Sequence, residues 1–406
     1  MKQFKRIIYI FAMVVLSGSA FSAAAQTASV FTTGLTTPNR IVLAGSNSLI
    51  VTEAGTRVPN SGRISLIDRE KGSRQTLLGG LPSAVSFLGN PAGDPDGPSG
   101  LLLTGHTLYI TIGIGDRVIR GPGPGQERVN PNPPSSPIFD SVLALTLPED
   151  YESTTSAFTL TLADQATLAA GAEVVLTNAD GQTMTVRLVV DLPDYRPAPL
   201  PPPNENNVKA SHLYGIEMFQ RNLYVVDAGF NLLYQVNLKN EEYSVFTTFP
   251  DRPNPLYPTV GRPTIEAVPD NIHRFGNRLL VPLLTGTPFI PGMSEVRSVD
   301  GRSGADVGLI SNLTSAIDIA RVEYPGDSFT SVFNPGDNSS YYTLEFSTNQ
   351  RMGLPGRLRF YSNAAAEPVD VFSNLVTPTS MTLDETSGNI FMTNIVPGTV
   401  TKVSFP

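Results

Sequence analysis

Ser29-Val-Phe-Thr-Thr-Gly-Leu-Thr-Thr-Pro38 stands near the start of the chain and Asp370-Val-Phe-Ser-Asn-Leu-Val-Thr-Pro378 near its end. Both run from a Val-Phe pair through short polar residues and a Leu to a Thr-Pro close. A chain whose beginning repeats a late segment of its final units closes into a ring. The reading is an all-β, six-bladed β-propeller in which the N-terminal strand Ser29 to Leu35 completes the C-terminal blade.

Working outward, an apolar run ending in a polar or small residue recurs six times. The copies are Leu49-Ile-Val-Thr-Glu-Ala-Gly55, Leu108-Tyr-Ile-Thr-Ile-Gly-Ile114, Leu223-Tyr-Val-Val-Asp-Ala-Gly229, Leu279-Leu-Val-Pro-Leu-Leu-Thr285, Tyr341-Tyr-Thr-Leu-Glu-Phe346 and Ile390-Phe-Met-Thr-Asn-Ile395. Short apolar runs bounded by turn residues suit strands buried on both faces, which in a propeller are the second strands of the blades. An alternating third strand follows each copy. Five outer strands come next, at Gln75 to Leu81, Met184 to Leu192, Tyr243 to Phe249, Asp306 to Leu313 and Val369 to Leu375. Ser29 to Leu35 supplies the sixth. Gly and Pro make up 70 of the 406 residues, a density that breaks helices too often for a helical fold.

Residues 1–25 read as a signal peptide. Lys2, Lys5 and Arg6 precede an apolar run, and Ala23-Ala24-Ala25 offers a small-residue cleavage site. No later run reaches the roughly 18 apolar residues of a membrane helix. The mature chain, residues 26–406, is therefore expected to be exported, periplasmic or extracellular, without a transmembrane segment. Losing three of 28 basic residues leaves 25 against 36 acidic ones, a net charge of −11. With no Lys/Arg cluster, that balance argues against nucleic acid as a partner. Cysteine is absent, which excludes disulfides, thiol nucleophiles and thiolate metal sites. A monomer is expected.

The gap between the second and third copies is about twice the others. It holds a Thr/Ala-rich stretch near 150–180, read as an inserted hairpin, and a Pro-rich connection at 197–203. A seventh blade would have to hide there, in a stretch that lacks the second-strand motif.

The chain resembles the ScyD/ScyE family of exported bacterial propellers over nearly the whole mature sequence. The resemblance is carried by Gly97-Pro-Ser-Gly-Leu101 before Leu108-Tyr-Ile-Thr-Ile-Gly113, by Ser211-His-Leu-Tyr-Gly-Ile216 before Leu223-Tyr-Val-Val-Asp-Ala-Gly229, and by Leu284-Thr-Gly-Thr-Pro-Phe289. It implies six blades outside the cytoplasm and assigns no activity. The Asp150–Asp180 insertion and an abbreviated sixth blade depart from it. More distant likenesses, to gluconolactonase-like and strictosidine-synthase-like proteins and to quinoprotein sugar dehydrogenases, are analogies of fold.

Innermost strands of a propeller converge at one channel mouth. Their starts are read here as Pro38-Asn39-Arg40, Pro98-Ser99-Gly100, Leu213-Tyr214-Gly215, Pro263-Thr264-Ile265, Ser315-Ala-Ile-Asp318 and Pro378-Thr379-Ser380. Asn39, Asp318 and Glu217 are the metal candidates, with Glu266 nearby, because a hard cation such as calcium takes oxygen ligands from several blades; zinc is the other cation considered. No complete triad stands in register, so these groups read rather as bonding to channel water and neighbouring backbone. His212 and Tyr214 are the acid–base candidates. Arg40, Tyr214, Arg117 and Arg120 are the ligand-binding candidates, the last two on a glycine-laden loop, Arg117 to Arg128, suited to an anionic ligand. Glu53, Asp116, Asp227, Glu345 and Asn394 end second strands, where they either accept N–H groups of their own turns or gather for calcium. His106 and His273 are read as turn and loop residues. Asp94-Pro-Asp-Gly97 and Asn334-Pro-Gly-Asp-Asn-Ser339 lack the spacing of a calcium loop and read as turns.

Three functions follow. The first is a binding or interaction propeller holding a small molecule, glycan or protein at the channel mouth without turning it over. The second is a metal-dependent hydrolase or lactonase. The third, a quinone-dependent sugar oxidoreductase, would want a His–Arg pairing that His106 and Arg117 are too loosely placed to provide.

Overall fold

A computed structural model describes residues 27–87, 93–123, 125–322 and 339–405. The signal-peptide reading of residues 1–25, and most of the turn at 334–339, lie outside the described residues. The protein is a six-bladed β-propeller. Its innermost strands are Pro38–Ala44, Pro98–Thr104, Leu213–Phe219, His273–Phe275, Ala316–Val322 and Pro378–Asp384. The second strands are Ser48–Glu53, Thr107–Ile112, Asn222–Asp227, Arg278–Leu283, Ser340–Glu345 and Asn389–Asn394. Apart from the first residue of four of them and Tyr342, every residue of these second strands is buried. That is the burial their continuous apolar runs require, with a neighbouring blade on each face.

Ring closure lies where the repeated segment places it. Thr27–Thr32 pairs antiparallel with Thr399–Ser404 and is the outer strand of blade six. Leu35 N–H then donates to Gly398 O at 3.0 Å, and Thr32 Oγ1 to Gly72 O of blade one, also at 3.0 Å. Phe31 packs on Phe391 with ring centroids 5.2 Å apart, and Lys402 lies 5.6 Å from the centroid of each ring.

The insertion differs in detail from a simple hairpin. After a turn of 3-10 helix at Tyr151–Ser153, Phe158–Thr159 pairs parallel with the outer strand of blade one. An α-helix, Leu162–Ala169, follows, and only then does Val174–Thr177 form a hairpin with the outer strand Thr183–Asp191 of blade two. Thr161 caps the helix, its hydroxyl accepting from Asp164 N–H while the Asp164 carboxylate accepts from Thr161 N–H. Phe158, Leu160 and Leu168 bury themselves in the core shared by blades one and two. The insertion thus fastens two blades together from outside.

Because every blade runs up and down, links from second to third strand and from outer strand to the next blade share one mouth, here called the upper mouth. Among the described residues, all four two-stranded accessory hairpins lie in such links, so they cover that mouth. One of them corrects the sequence reading. Thr264–Ile265 pairs with Arg252–Pro253, so Pro263-Thr264-Ile265 is part of a hairpin and not the start of blade four. That blade begins at Pro269, which bridges to Leu283, and His273, read as a loop residue, is the first residue of its innermost strand.

Candidate functional site at the upper mouth

Each innermost strand opens with one residue more than the second strand beside it. Pro38 and Arg40 face Glu53 and Thr52; Pro98 and Leu101 face Ile112 and Ile110; Leu213 and Ile216 face Asp227 and Val225. The same excess separates Pro269 and His273 from Leu283 and Leu280, Ala316 and Asp318 from Glu345 and Leu344, and Pro378 and Ser380 from Asn394 and Thr393. Such bulges re-aim side chains. They bring Arg40, Gly100, Gly215, Asn271, Asp318 and Ser380 to equivalent positions, each followed by an aliphatic residue. At Gly215 a Cβ would stand 2.9 Å from the Asn271 Cα, and at Gly100 it would strike the Tyr214 carbonyl. Only glycine lets blades two, three and four approach so closely.

Asp318 is the centre of this ring. Its carboxylate accepts from Asn271 Nδ2 and lies against His273 Nε2, both at 2.6 Å, and accepts from Met381 N–H at 2.8 Å and Ser380 Oγ at 3.2 Å. Arg40 Nη1 lies 3.5 Å away. A fully buried side chain from blade five that meets blades one, four and six can do so only at the axis. Burial alone would raise its pKa, but Arg40, His273 and the Met381 N–H outweigh that and hold it at about 2.

Asp270 precedes Asn271 and is also buried, yet its Oδ1 has no partner. Burial, with the Asp318 charge beside it, pushes its pKa well above the usual range, against the pull of Arg40 and His212. The Arg40 Nε is likewise buried without a partner. His212, half-buried, places Nε2 at 3.6 Å from Asp96 Oδ1 and its ring edge-on to Tyr214 at 5.6 Å. Burial disfavours its protonation, but Asp96, Asp227 and Asp270 outweigh this and raise its pKa. Burial raises the Tyr214 phenol too, so it stays protonated.

Of the candidates read from sequence, Arg40, His212, Tyr214 and Asp318 therefore share the mouth. The others do not join them. Asn39 donates to Pro98 O at 2.9 Å, stitching blade one to blade two. Glu217 accepts from Arg274 N–H at 3.0 Å between blades three and four, and Glu266 pairs with Lys209 at 2.6 Å. Arg117 pairs with Asp194 at 3.0 Å and donates to Pro137 O at 2.8 Å, whereas Arg120 is exposed on a hairpin. The second-strand carboxylates serve their own blades. Glu53 holds Arg63 at 2.7 Å, Glu345 holds Arg357 at 2.6 Å, Asp227 accepts from Phe230 N–H at 2.8 Å, and Asp116 accepts from Ser135 N–H at 3.0 Å. Asn394 donates to Thr401 Oγ1 at 3.0 Å.

A divalent cation does not fit this donor set. Among the described residues no three His, Asp or Glu side chains stand with metal-ligand spacing. The Asp318 oxygens already face an arginine, an amide and backbone N–H groups, and Asn39 and Glu217 are engaged elsewhere. His106 and Arg117 do not form the His–Arg pairing wanted for a quinone. His106 sits in the lower-mouth turn of blade two against Tyr151, at 6.3 Å, and Arg117 is at the opposite end.

Behind the mouth, Asp140 is fully buried at φ 54° with neither carboxylate oxygen partnered. Burial, then the neighbouring Asp194, Asp227 and Asp96, push its pKa well above the ordinary value, and burial lifts Asp194 to about 6. A raised folded pKa means that the native state holds a proton the unfolded chain has released, so stability falls as pH rises from about 4 to about 6 and beyond. Asp140→Asn keeps the shape, tolerates the left-handed backbone and donates to the adjacent carboxylates. It should stabilise the protein at pH 8 by about 1–3 kcal/mol and flatten the gain on acidification, as read by thermal melts between pH 5 and 8. A lower melting temperature at pH 8 would contradict this.

No family model and no curated protein matches the sequence. Solved structures do match. An auxiliary nutrient binding protein from Bacteroides thetaiotaomicron VPI-5482 superposes with a TM-score of 0.51 at 10% identity, over 94% of this chain and 77% of its own. The PQQ-bound aldose sugar dehydrogenase of Streptomyces coelicolor gives 0.45 at 13%, over 94% and 98%. A gluconolactonase from Xanthomonas campestris gives 0.44 at 10%, over 95% and 91%. At 10% identity the first of these likenesses bears on the fold and not on an activity, in agreement with the sheet topology: this chain is a six-bladed β-propeller.

Proposed function

We propose that the protein is an exported, monomeric binding propeller of the ScyD/ScyE kind that holds a hydroxylated small molecule or glycan at its upper mouth without turning it over. The family likeness rests on sequence alone, and two of its motifs, Gly97–Leu101 and Ser211–Ile216, fall on the bulged starts of blades two and three. Export rests on the N-terminal segment; no described helix is long and apolar enough to cross a membrane. One observation carries the binding reading. Asp270 Oδ1 and Arg40 Nε are buried at the mouth and unpartnered, beside Tyr214 and His212. An acid that keeps its proton donates to a hydroxyl, and a buried guanidinium N–H donates to another, so the pair suits an alcohol-rich ligand. The axial carboxylate, in contrast, is engaged by protein donors.

Calorimetric titration with a panel of neutral oligosaccharides tests this. Wild type should bind a member of the panel, and Asp270→Ala should bind it roughly tenfold more weakly with its melting temperature retained. Equal affinity of the two proteins, or no binding by wild type, would remove the support from Asp270. Added calcium or zinc should leave the melting temperature unchanged; a rise with concentration would return the metal-dependent hydrolase to first place.

A further inference from the structure

Three hairpins cover the upper mouth over blades two to four. They are Val118–Arg120 with Glu127–Val129, Tyr195–Pro197 with Val208–Ala210, and Arg252–Pro253 with Thr264–Ile265. They are locked together. Glu127 Oε2 accepts from Ala210 N–H at 2.8 Å, Glu127 N–H donates to Asn207 Oδ1 at 2.9 Å, and Arg262 Nη2 donates to Gly125 O at 3.0 Å. The result is one platform beside the channel mouth.

Its charge runs against that of the chain, which is net −8. Most arginines of the blades are neutralised by carboxylates, yet Arg120, Arg128, Arg196 and Arg262 make no ion pair among the described residues. Arg120, Arg196 and Arg262 are exposed, and Arg196 stacks over the Phe230 ring at 4.9 Å. Tyr195 and Tyr257 stand among them, 39% and 52% exposed. An anionic group is what unpaired guanidinium forks select, bidentately where it is a carboxylate. Exposed tyrosine rings stack on the apolar faces of sugar rings while their hydroxyls stay wet.

We propose that this platform binds an acidic polysaccharide, a glycan chain whose carboxylates pair with the exposed Arg120 and Arg262 while one end reaches the mouth. The inference rests on the glycan reading above and adds charge and length to it. Sodium polygalacturonate and neutral dextran of matched length, titrated into the mature chain, separate the two. Polygalacturonate should bind wild type and weaken roughly tenfold between low and moderate salt. Arg120→Glu/Arg262→Glu should weaken it at least tenfold further. A charge-matched control, Arg221→Glu/Lys239→Glu in the lower-mouth turns, should bind as wild type does. Equal affinity for dextran, absence of polygalacturonate binding, or the same loss in the control would overturn the proposal. Dextran binding that depends on Asp270 would leave the mouth reading standing while removing this one.

Discussion

A chain lacking residues 27–33 is expected to melt at least about 5 °C below the full mature chain, and to do so with earlier loss of blade six. The deletion removes the whole outer strand Thr27–Thr32, leaving Thr399–Ser404 as an open edge. It strips the Phe31 ring from Phe391, which is fully buried, and the Thr32 hydroxyl from the Gly72 carbonyl of blade one. Lost apolar burial for one aromatic side chain alone is worth about 2 kcal/mol, and several ladder hydrogen bonds go with it. A loose terminal tail would cost almost nothing. Hydrogen exchange localises the effect: Ile390, Met392 and Thr401 amides should lose protection first. A truncated protein that melts with the full chain, its blade-six amides still protected, would mean that ring closure contributes little to stability.

That closure was legible because the same physical demand writes the same residues twice. The second strands were legible for a related reason: burial on both faces allows few residue types, so six copies look alike. The innermost strands are shorter signals and blade four was misplaced. Pro263-Thr264-Ile265 looks like a strand start, but Asp251 to Ile265 spends itself on a hairpin over the mouth. A better signal was present. Pro38-Asn-Arg-Ile41, Pro98-Ser-Gly-Leu101 and Pro378-Thr-Ser-Met381 share a proline three residues before an aliphatic one, the bulge lying between, and Pro269-Asp-Asn-Ile272 fits it. That pattern would have brought Asp270 and His273 into the site. The helix Leu162–Ala169 was also readable from Thr161-x-x-Asp164 and a run free of Gly and Pro. The Arg40–Asp318 pairing was not readable at all. It joins blades one and five across the axis, and no local pattern encodes a contact between residues so far apart in the chain.

Asp318→Ala is expected to be the most damaging single substitution at the mouth, costing about 3–5 kcal/mol. Three consequences add. Arg40, only 5% exposed, loses the carboxylate it pairs with at 3.5 Å. Met381 N–H, Asn271 Nδ2 and Ser380 Oγ lose a common acceptor inside the ring. His273 loses the group that holds it in place at 2.6 Å. Replacing both charges, as in Arg40→Met/Asp318→Ala, should recover about 1–3 kcal/mol of this, because the guanidinium deprived of that partner is gone. The pH dependence supplies an independent check. The folded carboxyl titrates at about 2, below its ordinary 3.8, so its stabilisation is complete above the unfolded value and is lost as pH falls toward about 2. Wild type should therefore lose roughly 2 kcal/mol from this group between pH 4 and 2, and the variant should lack that part of the acid limb. Thermal melts of the three proteins across that range decide the matter. If Asp318→Ala matches wild type at neutral pH, or if the double variant is no better than the single one, the axial ion pair does not hold the ring together.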